Sequence, residues 1–180
     1  MRIAILSVLV IFMNCGSTKN TATPHEINEL KETLNNKEIE ITFNWARPLG
    51  LNNNVRGIEN LLPPGSTASN INLVGNSNFF RIKRDSLHID LPYYGQQQMA
   101  RGYNSESGIK FEGVPDKNNK VFDVKKRAYI LKYSFNDKND NYNAILTLFV
   151  NKRSDLRINS SNRTAISYSG NWQERILEKK

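Results

Sequence analysis

The segment EIEITFNW at residues 38–45 carries the strongest constraint on the fold. Ile39, Ile41, Phe43 and Trp45 alternate with Glu38, Glu40, Thr42 and Asn44. A period of two does not suit an amphipathic helix, whose apolar positions recur every three to four residues. It fits a pleated strand with one buried face. The same pattern returns in SLHIDL, with Leu87, Ile89 and Leu91 inward, and in AYILKYSF, with Tyr129, Leu131, Tyr133 and Phe135 on one face. YNAILTLFV is apolar on both faces and is expected to be a central strand. NINLV, FFRIK, GIKFE, KVFDVKK, DLRIN and AISYSGNW supply shorter candidates.

Turn-forming clusters separate these runs: KRDS, PDKNNK, NDKNDN, NKRSD and SSNR. About ten strands with short connections imply a mainly β fold, an antiparallel sheet closed as a sandwich or open barrel. One helix is expected near residues 24–36. Thr23 and Glu26 form a capping box, Pro24 suits the first helical position, and Ile27, Leu30 and Leu34 share a face. Hydrophobic residues make up 38% of the 180 and charged residues 23%, enough apolar material for one domain over residues 24–180. Pro63 and Pro64 keep VRGIENLLPPGSTASN a loop.

The N-terminus reads as an address. Arg2 is followed by an apolar run from Ile3 to Met13, too short to span a bilayer but of the length found in secretory signal peptides. Residues 1–14 are therefore expected to be a signal peptide. Residues 15–23 are a polar tether whose part after Cys15 reaches about 25 Å when extended. Cys15 is the only cysteine, so no internal disulfide exists.

FMNCGS resembles the lipobox of bacterial lipoproteins, and departs from its usual pattern with Phe12 three residues before the cysteine and bulky Asn14 immediately before it. The resemblance implies acylation of Cys15 after cleavage, and two or more chains hold a protein firmly at about 0.8 kcal/mol per buried methylene. Gly16 stands where an inner-membrane retention signal would place Asp, and no acidic surface-export run follows. The implied location is the outer membrane, facing the periplasm, with the membrane as partner through the acyl chains.

The formal net charge of +8 favours anionic partners. Arg81, Lys83, Arg84, Lys125, Lys126 and Arg127 are expected to line a sheet face and to meet lipid or glycan. Export argues against nucleic acid, which would also need aromatic platforms among those cations.

Chemistry has little to build on. His25 lies on the expected helix and His88 on a strand, no nucleophile elbow is present, and an acylated Cys15 leaves no thiol. His88 and Asp90 share a face, but two ligands do not make a metal site. DKNDNYNAILTL lacks the glycine and glutamate of a calcium loop and is expected to be a hairpin turn. A carboxylate hydrolase pairing Asp90 with Glu106 or Glu112 is the least favoured function. No enzyme activity, cofactor or metal is expected.

From about residue 38 to residue 172 the chain resembles the small exported proteins grouped as domain of unknown function 4251. FFRIKRDSLHIDLPYYG, GIKFEG, YNAILTLFVN and SSNRTAISYSGNW carry the resemblance. It implies a Gram-negative envelope protein with a lipoprotein-type signal and brings no activity with it. Within LPYYG, Pro92 and Gly95 end a strand and hold Tyr93 and Tyr94 between them. The expected function is a lipid-anchored periplasmic binding protein with Tyr93, Tyr94 and Trp172 facing the ligand. The alternative is a structural or protein-interaction module with a filled core.

Overall fold

The computed structural model describes residues 22–49, 62–98, 108–137 and 140–175. The signal peptide, Cys15 and most of the tether lie outside the described residues, as does Glu106.

Helix α1, Pro24–Asn36, starts where its capping box places it. The Glu26 amide donates to Thr23 Oγ1 at 3.3 Å and the Thr23 amide to Glu26 Oε2 at 2.7 Å. Leu30 and Thr33 are buried, with Ile27 and Leu34 half-buried beside them. Ten strands follow: β1 Ile39–Pro48, β2 Ile71–Asn72, β3 Phe79–Lys83, β4 Ser86–Leu91, β5 Ile109–Gly113, β6 Lys117–Asp123, β7 Ala128–Asp137, β8 Asp140–Phe149, β9 Arg153–Ser160 and β10 Ile166–Glu174. All pair antiparallel in the order β5-β4-β3-β1-β10-β9-β8-β7-β6, with the short β2 also on β1. The sheet curls into a half-barrel. Among the described residues β5 and β6 share no ladder. The two flanks meet through side chains, Phe111 of β5 lying 4.7 Å from Phe135 of β7.

Alternation fills the inside of the curl. Ile39, Ile41 and Phe43 of β1, Leu87, Ile89 and Leu91 of β4, and Tyr129, Leu131, Tyr133 and Phe135 of β7 are buried together with Leu30 of α1. Trp45 departs from the expected inward position. A bulge in the β1–β10 register between Phe43 and Trp45 inserts Asn44 and reverses the parity, so Ala46 is buried and Trp45 half-buried. Gly170 makes the bulge possible: a Cβ there would lie 2.0 Å from the Thr42 carbonyl oxygen. β1 also changes partner on its other side, from β3 at residues 39–41 to β2 at residues 45–46. Between them the buried Asn78 carboxamide bonds both backbone groups of Phe43, at 2.9 and 3.0 Å, as a strand residue would.

Two further expectations are corrected. β8 lies inside the sheet order, yet only one of its faces is buried; Tyr142, Ala144, Leu146 and Leu148 point inward while Ile145 is exposed. Among the described residues no second layer covers that face. Lys117–Lys120, expected in a turn, opens β6, because pairing with Lys132–Ser134 and their neighbours outweighs the polar composition of an exposed edge.

Candidate functional site

The turns β3–β4, β6–β7 and β8–β9, the start of β1 and the end of β10 all fall at one end of the half-barrel, as antiparallel order requires. Helix α1 lies across that end. Its Glu29 carboxylate is 3.5 Å from Lys152 Nζ in the β8–β9 turn, and its Asn35 accepts from Lys120 of β6. Beside the helix C-terminus an open cleft of about 1180 Å³ separates the β3–β4 hairpin from β6 and β7.

Apolar groups of Leu34, Ile82, Leu131 and Tyr133 contribute to its lining, and five cations surround them: Lys37, Lys83, Arg84, Lys120 and Arg175. Three carboxylates, Glu38, Asp85 and Glu174, are also present. Lys37 pairs with Glu174 at 2.6 Å, Lys83 with Glu38 at 3.1 Å, and Arg175 with Glu38 at 3.4 Å. Among the described residues Lys120 meets the neutral Asn35, and with five cations against three carboxylates the lining keeps an excess of positive charge. Tyr133 is 6% exposed, and burial pushes its phenol well above the ordinary range. Its hydroxyl makes no hydrogen bond to another described residue, and its oxygen is not sealed from solvent. A phenol that bonds no neighbouring residue beside an open cleft can donate to a ligand in place of water.

The opposite end is closed by side chains from two distant segments of the chain. The Tyr93 hydroxyl donates to the Thr164 carbonyl at 2.8 Å and shares a hydrogen bond with the Thr164 hydroxyl at 3.0 Å. Backbone bonds Thr164 N to Gln96 O and Gln98 N to Asn162 O tie the strap after β4 to the β9–β10 turn. The Tyr168 hydroxyl donates to Pro92 O at 2.8 Å. Beneath them Arg163 Nε lies 3.0 Å from Asp140 Oδ2, each side chain 1% exposed, with the guanidinium over the Tyr93 ring at 4.9 Å. Tyr142 donates to the same carboxylate oxygen at 2.9 Å. Burial raises the Tyr93 phenol pKa, opposed by the Thr164 hydrogen bond and the Arg163 charge.

These positions locate the residues singled out by sequence. Pro92 follows the last residue of β4 and Gly95 has an ordinary φ; what Gly95 supplies is room, since a Cβ would stand 2.2 Å from the Tyr93 hydroxyl oxygen. Tyr93 is buried in the closure and Tyr94 packs half-buried against the core. Trp172, 2% exposed, donates from Nε1 to Phe149 O at 2.7 Å under the Lys152 ammonium. None of the three lines the open cleft. Asp90 pairs across β4–β5 with Lys110, and Glu112 with His88, whose ring meets Phe79 edge-on at 4.8 Å. Among the described residues no three His, Cys, Asp or Glu side chains gather as a metal ion would require.

The cations are arranged otherwise than expected. Arg81 points from the outer face to Glu40 and Phe79, whereas Lys83, Arg84 and Lys125–Arg127 occupy turns or strand ends at the cleft end. Spacing could not reveal the cleft, because its lining comes from α1, β3, β6, β7 and β10. Tyr133 and Leu131 read only as core, and Lys120 as the junction of the PDKNNK turn with the KVFDVKK strand.

No curated protein matches the sequence. The crystal structure of a DUF4251 family protein from Bacteroides eggerthii DSM 20697 is similar in fold, with a TM-score of 0.52 at 13% identity, covering 83% of this chain and 88% of that one. The profile of the family described as Domain of unknown function (DUF4251) matches residues 22–172, a span that includes the Tyr93–Thr164 closure and all of the cleft lining but Glu174 and Arg175, and the chain belongs to that family.

Proposed function

We propose that the protein is a lipid-anchored envelope protein that binds an amphiphile with an anionic head in the cleft beside α1. The observation that carries this reading is the cleft itself, whose apolar lining and excess positive charge surround Tyr133, a phenol that bonds no other described residue. Lys120 and Arg84 attract the head, Tyr133 donates a hydrogen bond, and Ile82, Leu131 and Leu34 receive the apolar part. Acylation of Cys15 holds the domain at the outer membrane on its periplasmic side. The support for that part is the signal-like run, the single cysteine and the polar tether.

Titration calorimetry with dodecyl phosphate and neutral dodecyl maltoside, each below its micelle concentration, tests the cleft. The phosphate binds one to one and the maltoside does not. Tyr133→Phe weakens binding about fivefold, the loss of one hydrogen bond of about 1 kcal/mol. A Lys120→Ala and Arg84→Ala double variant weakens it further. Equal binding of both amphiphiles, or affinity unchanged in these variants, overturns the reading. Palmitate labelling of wild type and of Cys15→Ser tests the anchor separately.

A further inference from the structure

We propose that the basic end of the half-barrel is a docking surface for an anionic lipid bilayer, into whose headgroups the β6–β7 tip dips. The orientation rests on the anchored reading; the surface itself rests on the turns. Three consecutive cations, Lys125, Lys126 and Arg127, occupy the β6–β7 turn, Arg84 the β3–β4 turn, and Lys152 and Arg153 the β8–β9 turn and the residue after it. Antiparallel order puts all of them at one end.

Backbone geometry adds to the charge. The three non-glycine residues with positive φ among the described residues are Arg84 at 53°, Arg127 at 50° and Lys152 at 65°. That region favours glycine and penalises a side chain. Each of these strained positions nevertheless bears a cation at this end, a pattern expected where function outweighs local stability. Val124, beside the three cations, is 76% exposed, an apolar side chain placed where it can enter the headgroup layer. At the opposite end Pro92–Gln98 and Ser161–Ala165 contain one charge, Arg163, buried against Asp140.

The tether leads to the same end. Glu29 of α1 touches the β8–β9 turn, and Thr23 precedes it by six residues, about 9 Å of helix. A tether reaching about 25 Å holds the basic end near the surface that anchors it, where each Lys or Arg close to an anionic leaflet strengthens binding severalfold.

The test uses residues 15–180 with Cys15→Ser, a form that keeps every element of the fold, in cosedimentation with vesicles. Vesicles containing phosphatidylglycerol should retain it, pure phosphatidylcholine vesicles should not, and high salt should release it. Lys125→Glu with Lys126→Glu should reduce retention at least about tenfold. Arg47→Glu with Lys117→Glu changes the net charge equally at the other end and should leave retention intact. Overturning results are equal retention on neutral vesicles, equal loss in both double variants, or binding of heparin without binding of vesicles. If palmitate labelling of wild type fails while the vesicle result holds, the anchor is lost and the docking surface stands. If labelling succeeds and vesicles are ignored, the reverse follows.

Discussion

Replacing Asp140 with Asn removes a carboxylate from beside a buried guanidinium, which keeps its hydrogen bond to Gly108 O at 3.2 Å. The carboxylate lies 3.0 Å from Arg163 Nε and 2.9 Å from the Tyr142 hydroxyl, with both members of the ion pair 1% exposed. An Asn side chain of nearly the same shape can still accept from Tyr142, so the change removes charge and little volume. Breaking a buried pair by deleting one partner costs about 3–5 kcal/mol, since the remaining ion is still out of water and has lost that counter-charge. At roughly 2–4 °C per kcal/mol for a chain of this size, Tm should fall by about 6–20 °C. Calorimetry and urea unfolding measure this, and an unchanged m value confirms that the folded and unfolded states kept their exposed areas. The double variant Asp140→Leu with Arg163→Met should recover most of the loss, because a well-packed apolar pair often equals a buried ionic one. A Tm drop under about 2 °C for Asp140→Asn would mean that water reaches the pair, and the closure at that end would have to be redrawn.

Other variants probe the remaining features. Gly170→Ala drives a Cβ to 2.0 Å from Thr42 O and 2.6 Å from Phe43 Cα, both backbone, and should cost about 2 kcal/mol or more; an unchanged Tm would remove the bulge from the account. Tyr93→Phe keeps the ring but leaves the Thr164 groups without the phenol, so about 1–3 kcal/mol should be lost, with faster hydrogen exchange at the Gln96 and Thr164 amides. In alkali, burial holds the Tyr133 and Tyr168 phenols protonated above their ordinary pKa. The unfolded chain releases those protons first, near pH 10. Stability is therefore full below that pH and lost as pH rises toward the folded-state values. Absorbance at 295 nm should show fewer than seven ionised tyrosines until circular dichroism collapses; seven freely titrating phenols in folded protein would refute the burial.

Local patterns showed in the sequence, and long-range meetings did not. The capping box at Thr23 and the alternation in β4 and β7 are local rules, and the structure follows them. Asn44 escaped because a bulge depends on the partner strand, here on Gly170 giving the backbone room. Asp140 read as a turn residue, yet Arg163, 23 positions later, draws it into the interior. LPYYG and SSNRT each stood out alone, but nothing in their spacing tells that Tyr93 and Thr164 touch. The cleft was hidden for the same reason, since Leu131 and Tyr133 alternate in β7 as their neighbours do.

The flanks of the curled sheet lean on each other through rings such as Phe111 and Phe135, with no peptide ladder between β5 and β6. That line is a seam. Parting it stretches dispersion contacts, which weaken gradually, and breaks none of the backbone bonds that make the rest of the sheet rigid. The wall of the cleft formed by the β3–β4 hairpin and the wall formed by β6 and β7 stand on either side of it. The flanks can therefore part along that line while every strand keeps its hydrogen-bonded neighbours.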